Sequence, residues 1–423
     1  MTGGRRSSAN AAAAPAAPPA PWSEWLSGRR SWLVVADLDG PPGKYHVGDE
    51  AMFEANLIRL RLRIGRHLRV AAFSNAPEFT RDFYGLDEVC PPPRFAGGCR
   101  AALQPVAKGI GWAVPPQPRT AGPGRCMAAA DGVLISGGGN LNSLYPICLK
   151  QRLAIALAAR CRRVPVLMVG QGLGPICRRT DRWHLRLLAL LCSAVGVRDR
   201  AMSRECLRQL RIPNRAVLVH LDDAFDLPPA EEAELAAAGP APNRLWLAVS
   251  IHQREPESGE ALASRWELLF AELLRQLPEL GLCFLPHLVQ AGSPDDDLAA
   301  ARRVAGRLGT RGEGDLFLPS GWVSARTVRA WTARCAAALT TRYHQAVFAA
   351  ACGVPVVGLG LGRYGVAKLA GLFELLETAD PVLTAGDDPQ PVVAALVDAL
   401  AGRASRPRPP GRFAHPLGPC RDG

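Results

Sequence analysis

Thr340 to Val357 reads TTRYHQAVFAAACGVPVV. An Arg and a His stand two apart at the head of an Ala-rich run, ahead of Gly-Val-Pro and a short apolar strand. If Arg342 and His344 lie on a strand, its two-residue period sends both to one side. Arg342 keeps its charge at any working pH, whereas His344 exchanges a proton near neutrality. A fixed cation beside a proton shuttle suits an anionic substrate that needs general acid catalysis. The plain alternative is a salt bridge for Arg342 and a helix cap for His344. Lys368, in GLGRYGVAKLAGL, adds a third cation near a helix start.

Other segments carry residues of the same kind. In HVGDEAM (His46 to Met52), Gly48 permits a tight turn, Asp49 and Glu50 suit a helix N-terminus, and Asp49 is placed to orient a hydroxyl. SGGGN runs from a strand into Gly137, Gly138 and Gly139, with Asn140 next. Such glycines are expected to bare backbone N–H groups to an anion where a helix begins. GQGLGP, which contains Gln171, repeats the device. VRDRAMS sets Arg198 at a strand end, forked for a carboxylate or phosphate or else paired at the surface with Asp199, and Ser203 is read as a helix cap. His252 and His287 close strands farther on, and Asp297 lies in the helix after His287.

Length and composition bound what these residues serve. A chain of 423 residues that is 48% hydrophobic has material for two domains. The net charge of +12 comes from scattered basic residues without interleaved aromatics, which argues against a nucleic-acid partner. A small anionic substrate or an anionic membrane surface fits instead. The twelve cysteines form no C-x-x-C pair, so zinc spacing is absent and free thiols in a reduced, cytosolic compartment are expected. No apolar run reaches the roughly 18 residues of a membrane span. No G-x-S-x-G elbow, H-E-x-x-H helix or P-loop occurs, so neither a metal nor a covalent serine is expected.

The elements that must position these groups alternate. SWLVVADL, LRVAAFS, DGVLISG, VPVLMVG, VGV and RAVLVHL read as strands separated by helical patterns. A Pro, Ala and Glu-rich stretch follows, and a second alternating series starts at RLWLAVSIHQ. The reading is an α/β protein with two doubly wound Rossmann-like domains facing a cleft. Its expected divisions are a disordered Ala/Pro-rich tail at 1–28, a first domain at 29–228, a linker at 229–243, a second domain at 244–402 and a disordered tail at 403–423.

HVGDEAM, GVLISGGGNLNS, VGQGLGP, GVRDRAMS, HLDDAFDLP, TTRYHQAVFAAACGVPVV and RYGVAKLAGL, in this order, resemble the polysaccharide pyruvyl transferase family. The resemblance covers about Val34 to about Leu376. It implies a GT-B-like fold and transfer of the enolpyruvyl group of phosphoenolpyruvate to a sugar hydroxyl, with no cofactor. By resemblance, His344 is the general acid or protonates the leaving phosphate, and Arg342 grips the anionic donor. Arg198 and Lys368 join at the donor, and Asp49, Gly137–Gly139, Asn140, Gln171 and His287 line the cleft or acceptor side. Asn140, Asn142 and Ser143 stand where the family often has an acidic residue, and His46 where an Asn is common, which points to a changed acceptor. The implied location is cytoplasmic, with a lipid-linked acceptor and peripheral membrane contact both compatible. A nucleotide-sugar glycosyltransferase on the same frame and an inactive partner in glycan assembly are the alternatives.

Overall fold

The computed structural model describes residues 22–96, 102–113, 122–213, 217–231, 239–252, 259–309, 314–384, 388–402, 415–418 and 420. The apolar runs become two parallel sheets. The first contains β1 (Ser31–Leu38), β3 (Arg69–Ser74), β4 (Glu88–Cys90), β5 (Gly132–Ile135), β6 (Gly138–Leu141), β7 (Val166–Leu173), β8 (Ala194–Val197) and β9 (Val217–Val219). Its order is β4-β3-β1-β5-β7-β8-β9, with β6 beside the end of β7. The second holds β10 (Leu245–Ser250), β11 (Leu280–Phe284), β13 (Leu316–Phe317), β14 (Ala337–Thr340), β15 (Val356–Gly360) and β16 (Val382–Thr384). Its order is β13-β11-β10-β14-β15-β16.

Helices cover both faces of each sheet, so strands read as unbroken apolar stretches rather than alternating ones. All eight residues of β7 are buried. The chain reverses its direction of strand addition between β1 and β5 in the first sheet, and between β10 and β14 in the second. Crevices beyond the strand carboxyl ends at such reversals are where open α/β sheets bind ligands.

The two sheets are joined by more than a linker. β2 (Tyr45–His46) pairs antiparallel with β12 (Leu288–Val289), a ribbon with one strand from each half. Val47 N donates to His287 O at 2.9 Å. One apolar cluster runs from Tyr45, Val47 and Met52 through Phe225 to Trp331, Phe348 and Phe373. Trp322 of the second half packs against Tyr45, Phe79 and Phe83 of the first.

Three expectations need correction. Trp22 and Leu26, placed in the leading tail, are buried in the first domain's core because both are large and apolar. His415, Leu417 and Cys420, placed in the closing tail, are buried too. They return to the helix Val47–Ile64, where Arg59 Nε donates to Gly418 O at 2.9 Å and Arg63 Nε to Leu417 O at 3.0 Å. The rest of both tails and residues 232–238 of the expected linker lie outside the described residues. Finally, Cys90 and Cys126 form a disulfide rather than two free thiols. They meet because Cys90 ends β4 and the helix Pro123–Ala128 brings Cys126 to the same core.

Candidate active site

A cavity of about 370 Å³ lies between the halves, at the strand reversal of the second sheet. Its second-domain wall includes Thr341, Arg342, Tyr343, His344 and Lys368, and its first-domain wall His46, Asp49, Gly139 and Asn140. The chain reaches it differently from the expectation. β14 stops at Thr340, Arg342 is the N-cap residue, and His344 is in the first turn of the helix Tyr343–Ala351. Arg342 and His344 thus share a cavity through a helix start, not through strand alternation.

Arg342 is committed to Asp297. Its Nη2 lies 2.5 Å from Asp297 Oδ1 and its Nε 3.0 Å from Oδ2. Asp297 also accepts the backbone N–H groups of His287 and Leu288. The fork therefore fastens the second domain's ribbon strand as well as lining the cavity.

His344 is buried and reaches across to the first domain. Arg198 Nη1 donates to its Nε2 at 3.4 Å, and Asp222 Oδ2 is 3.8 Å away. Its ring lies directly over Gly48, so closely that a Cβ at 48 would overlap it. Gly48 sits within a regular helix. Its missing side chain serves the neighbouring imidazole, not the expected tight turn.

Arg198 is 2% exposed and pairs with Asp222, not with Asp199 at the surface. Nη1 donates to Asp222 Oδ2 at 2.7 Å, and the guanidinium lies 4.2 Å from the centre of the Tyr343 ring. Nη2 is buried without a hydrogen-bond partner, which is costly for a charged donor and marks a place prepared for an acceptor. A Cβ on Gly139 would stand 3.2 Å from that Nη2 and 3.3 Å from Lys368 Nζ. The glycine thus leaves open the space that two cations share. Lys368, half-buried, faces Tyr343 and Tyr364 at 5.0 and 5.9 Å.

The field of this cluster sets the protonation states. Burial, then Arg198 and Lys368, hold His344 well below the ordinary histidine range. The neutral imidazole is therefore favoured in the ligand-free protein, and it accepts from Arg198 at Nε2. Burial and Arg198 push Lys368 down to about 7. Burial and Asp37 push Asp49 up to about 7, against the pull of Lys44, Arg198 and Lys368. An anion in the cavity reverses the first two shifts, because negative charge favours protonated neighbours.

The remaining expected residues divide. Asp49 and Asn140 line the cavity. His287 lines it too, with Nε2 donating to Gln345 Oε1 at 2.9 Å and Nδ1 buried and unpartnered. Gln171 lies behind the wall, donating to Ser136 O and Val169 O. The glycine run opens no helix: Gly138 begins β6, and the next helix starts at Pro146. Gly137 N is occupied by Asp223 Oδ2 at 2.9 Å, and a Cβ there would strike Asp223 and Met52. Gly137 is therefore a packing glycine, and the same holds for Gly170, whose N–H donates to His220. Asp199, not Ser203, caps the turn after β8, accepting from Met202 N and Ser203 N. Asp222, Tyr343 and Tyr364 join the site beyond the residues expected from sequence. HLDD after a strand and the tyrosine between Arg342 and His344 were the available signals.

His220, Asp223 and His415 stand close enough to hold a metal ion. Their atoms are already used. His220 Nδ1 donates to Leu221 O and its Nε2 accepts from Gly170 N. His415 Nε2 donates to Asp223 Oδ1 and its Nδ1 accepts from Leu417 N. Every ring nitrogen of the two histidines thus already has a hydrogen-bond partner.

The architecture and sequence agree with known proteins. The UDP-GlcNAc 2-epimerase from Neisseria meningitidis bound to UDP-GlcNAc is 13% identical, with a TM-score of 0.58 over 92% of this chain and 96% of that one. The UDP-GlcNAc 2-epimerase from Methanocaldococcus jannaschii is also 13% identical, with a TM-score of 0.56 over 92% and 96%. These likenesses establish the two-domain GT-B-type fold. No curated protein matches the chain. The family model of polysaccharide pyruvyl transferase matches residues 46–363, which include the first-domain wall of the cavity and Arg342, Tyr343 and His344 of the second but stop short of Lys368, and the chain belongs to that transferase family.

Proposed function

We propose that the protein transfers the pyruvyl group of phosphoenolpyruvate to two hydroxyls of a saccharide, forming a cyclic ketal and releasing phosphate. The observation that carries this reading is the buried, unpartnered Nη2 of Arg198 beside Lys368 Nζ. Two cations converge on one open space, as a dianionic phosphate requires. A carboxylate and a phosphate on one small donor account for a cavity lined by Arg342 and Lys368, with Arg198 buried just behind Gly139 of its wall.

The steps balance without a cofactor. A proton is added to the methylene carbon, and a sugar oxygen attacks C2. The C–O bond to phosphate then breaks, and the second oxygen closes the ketal. The two hydroxyl protons end on the methyl group and the phosphate. His344 gains its proton when the dianion binds and becomes the acid. Arg198 holds the phosphate, Arg342 faces the carboxylate, and Asp49, at the first-domain wall, orients the incoming hydroxyl. Positioning and fixed charge supply much of the rate. Among the described residues no helix is long and apolar enough to cross a membrane. A lipid-linked acceptor would therefore be met at a surface, where the basic balance of the chain aids contact.

The test is calorimetric binding of phosphoenolpyruvate together with phosphate release in the presence of candidate glycosides. Arg198→Gln should weaken donor binding by about 10²-fold. Unchanged affinity, or phosphate-free turnover of a nucleotide sugar instead, removes the reading.

A further inference from the structure

The first sheet has a strand reversal of its own, between β1 and β5, and a second cavity opens near it. Its volume is about 600 Å³, within the range of small-molecule sites. Residues at the carboxyl ends of β1 and β3 form its floor. None of the cations assigned to the donor lines it.

Its chemistry is unlike that of the interdomain cavity. Asp37, at the tip of β1, takes Arg152 Nη2 at 2.8 Å and Asn140 Nδ2 at 2.5 Å on one oxygen. The other oxygen meets only the weak donor Cys148 Sγ at 3.8 Å, and the side chain remains 25% exposed. A fixed carboxylate thus faces the cavity with acceptor capacity to spare. Arg152 is spent on Asp37 and on Gln151 Oε1 at 3.1 Å. An anion entering here would confront the carboxylate with no uncommitted buried guanidinium to offset it. Phe73 and Phe95 supply apolar faces, and Asn75 and Gln151 add amides. Arg94 also lines it, but is exposed. A carboxylate–guanidinium pair, amides and aromatic rings match a ligand with many hydroxyls and apolar ring faces.

The two cavities share a wall. Asn140 lines the interdomain cavity and donates to Asp37, which lines the other. We propose that the first-domain cavity is a subsite for a neutral sugar unit of the acceptor, next to the unit whose hydroxyls react. This rests on the pyruvyl-transfer reading for its acceptor, and it makes an oligosaccharide a better acceptor than a single sugar.

The test needs no turnover. A panel of nitrophenyl mono- and disaccharides is screened for binding to the full chain by ligand-observed NMR, and phosphoenolpyruvate binding is measured separately. The variants are Asp37→Asn and Ile147→Trp. Ile147 lies on the cavity lip and is 50% exposed, so its indole fills the cavity without disturbing buried groups. Disaccharides should bind more tightly than monosaccharides and lose about tenfold or more in both variants, while donor affinity stays within about twofold. The proposal falls if no saccharide binds the unaltered protein, or if binding survives in both variants. It falls also if inorganic phosphate binds and is lost in Ile147→Trp. If saccharides behave as expected but phosphoenolpyruvate does not bind the unaltered protein, the subsite stands and the donor reading goes.

Discussion

Asp222 and Asp223 are adjacent and both buried, yet they serve different networks. Asp223 faces inward. Its oxygens accept from Asn56 Nδ2 at 2.7 Å, Gly137 N at 2.9 Å and His415 Nε2 at 2.9 Å. Burial raises its pKa, but the His415 hydrogen bond and the charges of His415, His220 and Arg59 prevail and hold it below the ordinary value. Asp222, buried behind the interdomain cavity, holds Arg198, whose second nitrogen has no partner. One network is complete and fastens the closing segment to the first domain. The other is one acceptor short. Satisfaction of buried polar groups separates scaffold from site here, since both regions are charged and buried.

The contrast can be broken from either side. The largest effect is expected from Asp223→Ala, which strands three buried donors and should cost at least about 3 kcal/mol of stability by thermal melting. Donor affinity of the folded fraction should hardly move; a large loss would erase the distinction between the two networks. The same network gives an acid limit. The folded pKa of His415 lies below the ordinary 6.5, through burial and then Arg59. Its stabilisation is therefore present above that value and lost as pH falls, and a melting temperature flat below it would contradict this. Next comes Gly48→Ala. Its methyl group must displace the His344 ring, which should cost about 1–3 kcal/mol and lower turnover. An unperturbed variant would show that the ring is not held there.

The smallest effect sharpens the incomplete network. As pH rises through about 7, Lys368 loses charge and Asp49 gains it. Both changes disfavour an anion. Phosphoenolpyruvate binding should weaken above that pH by no more than about tenfold per unit for each group. Lys368→Arg should flatten the dependence, and an identical profile in that variant would remove Lys368 from the donor site.

The fold was legible because parallel strands buried on both faces are apolar runs, and the helices between them carry their own period. The loops were less so. The SGGGN run offered two uses of glycine, bare backbone or close packing. Only the position of Asp223, 86 residues on, decides for packing at Gly137, while Gly139 keeps space open beside Arg198 and Lys368. The pairing of Arg198 with Asp222, 24 residues away, is likewise invisible locally. Arg342 and His344 do share a cavity as the sequence suggested, though the strand expected to carry them gives way to a helix after Thr340, where Thr340 Oγ1 accepts from Arg342 N. Buried ends were missed because Ala/Pro-rich composition hid Trp22, and Arg/Pro-rich composition hid His415 and Leu417.

The short ribbon of Tyr45–His46 with Leu288–Val289 has a mechanical meaning. Pulling the lobes apart along it would leave backbone groups of both strands without partners. The ribbon is thus a stitch between the halves, and it keeps His46 and the neighbouring His287, both on the cavity wall, at a set spacing.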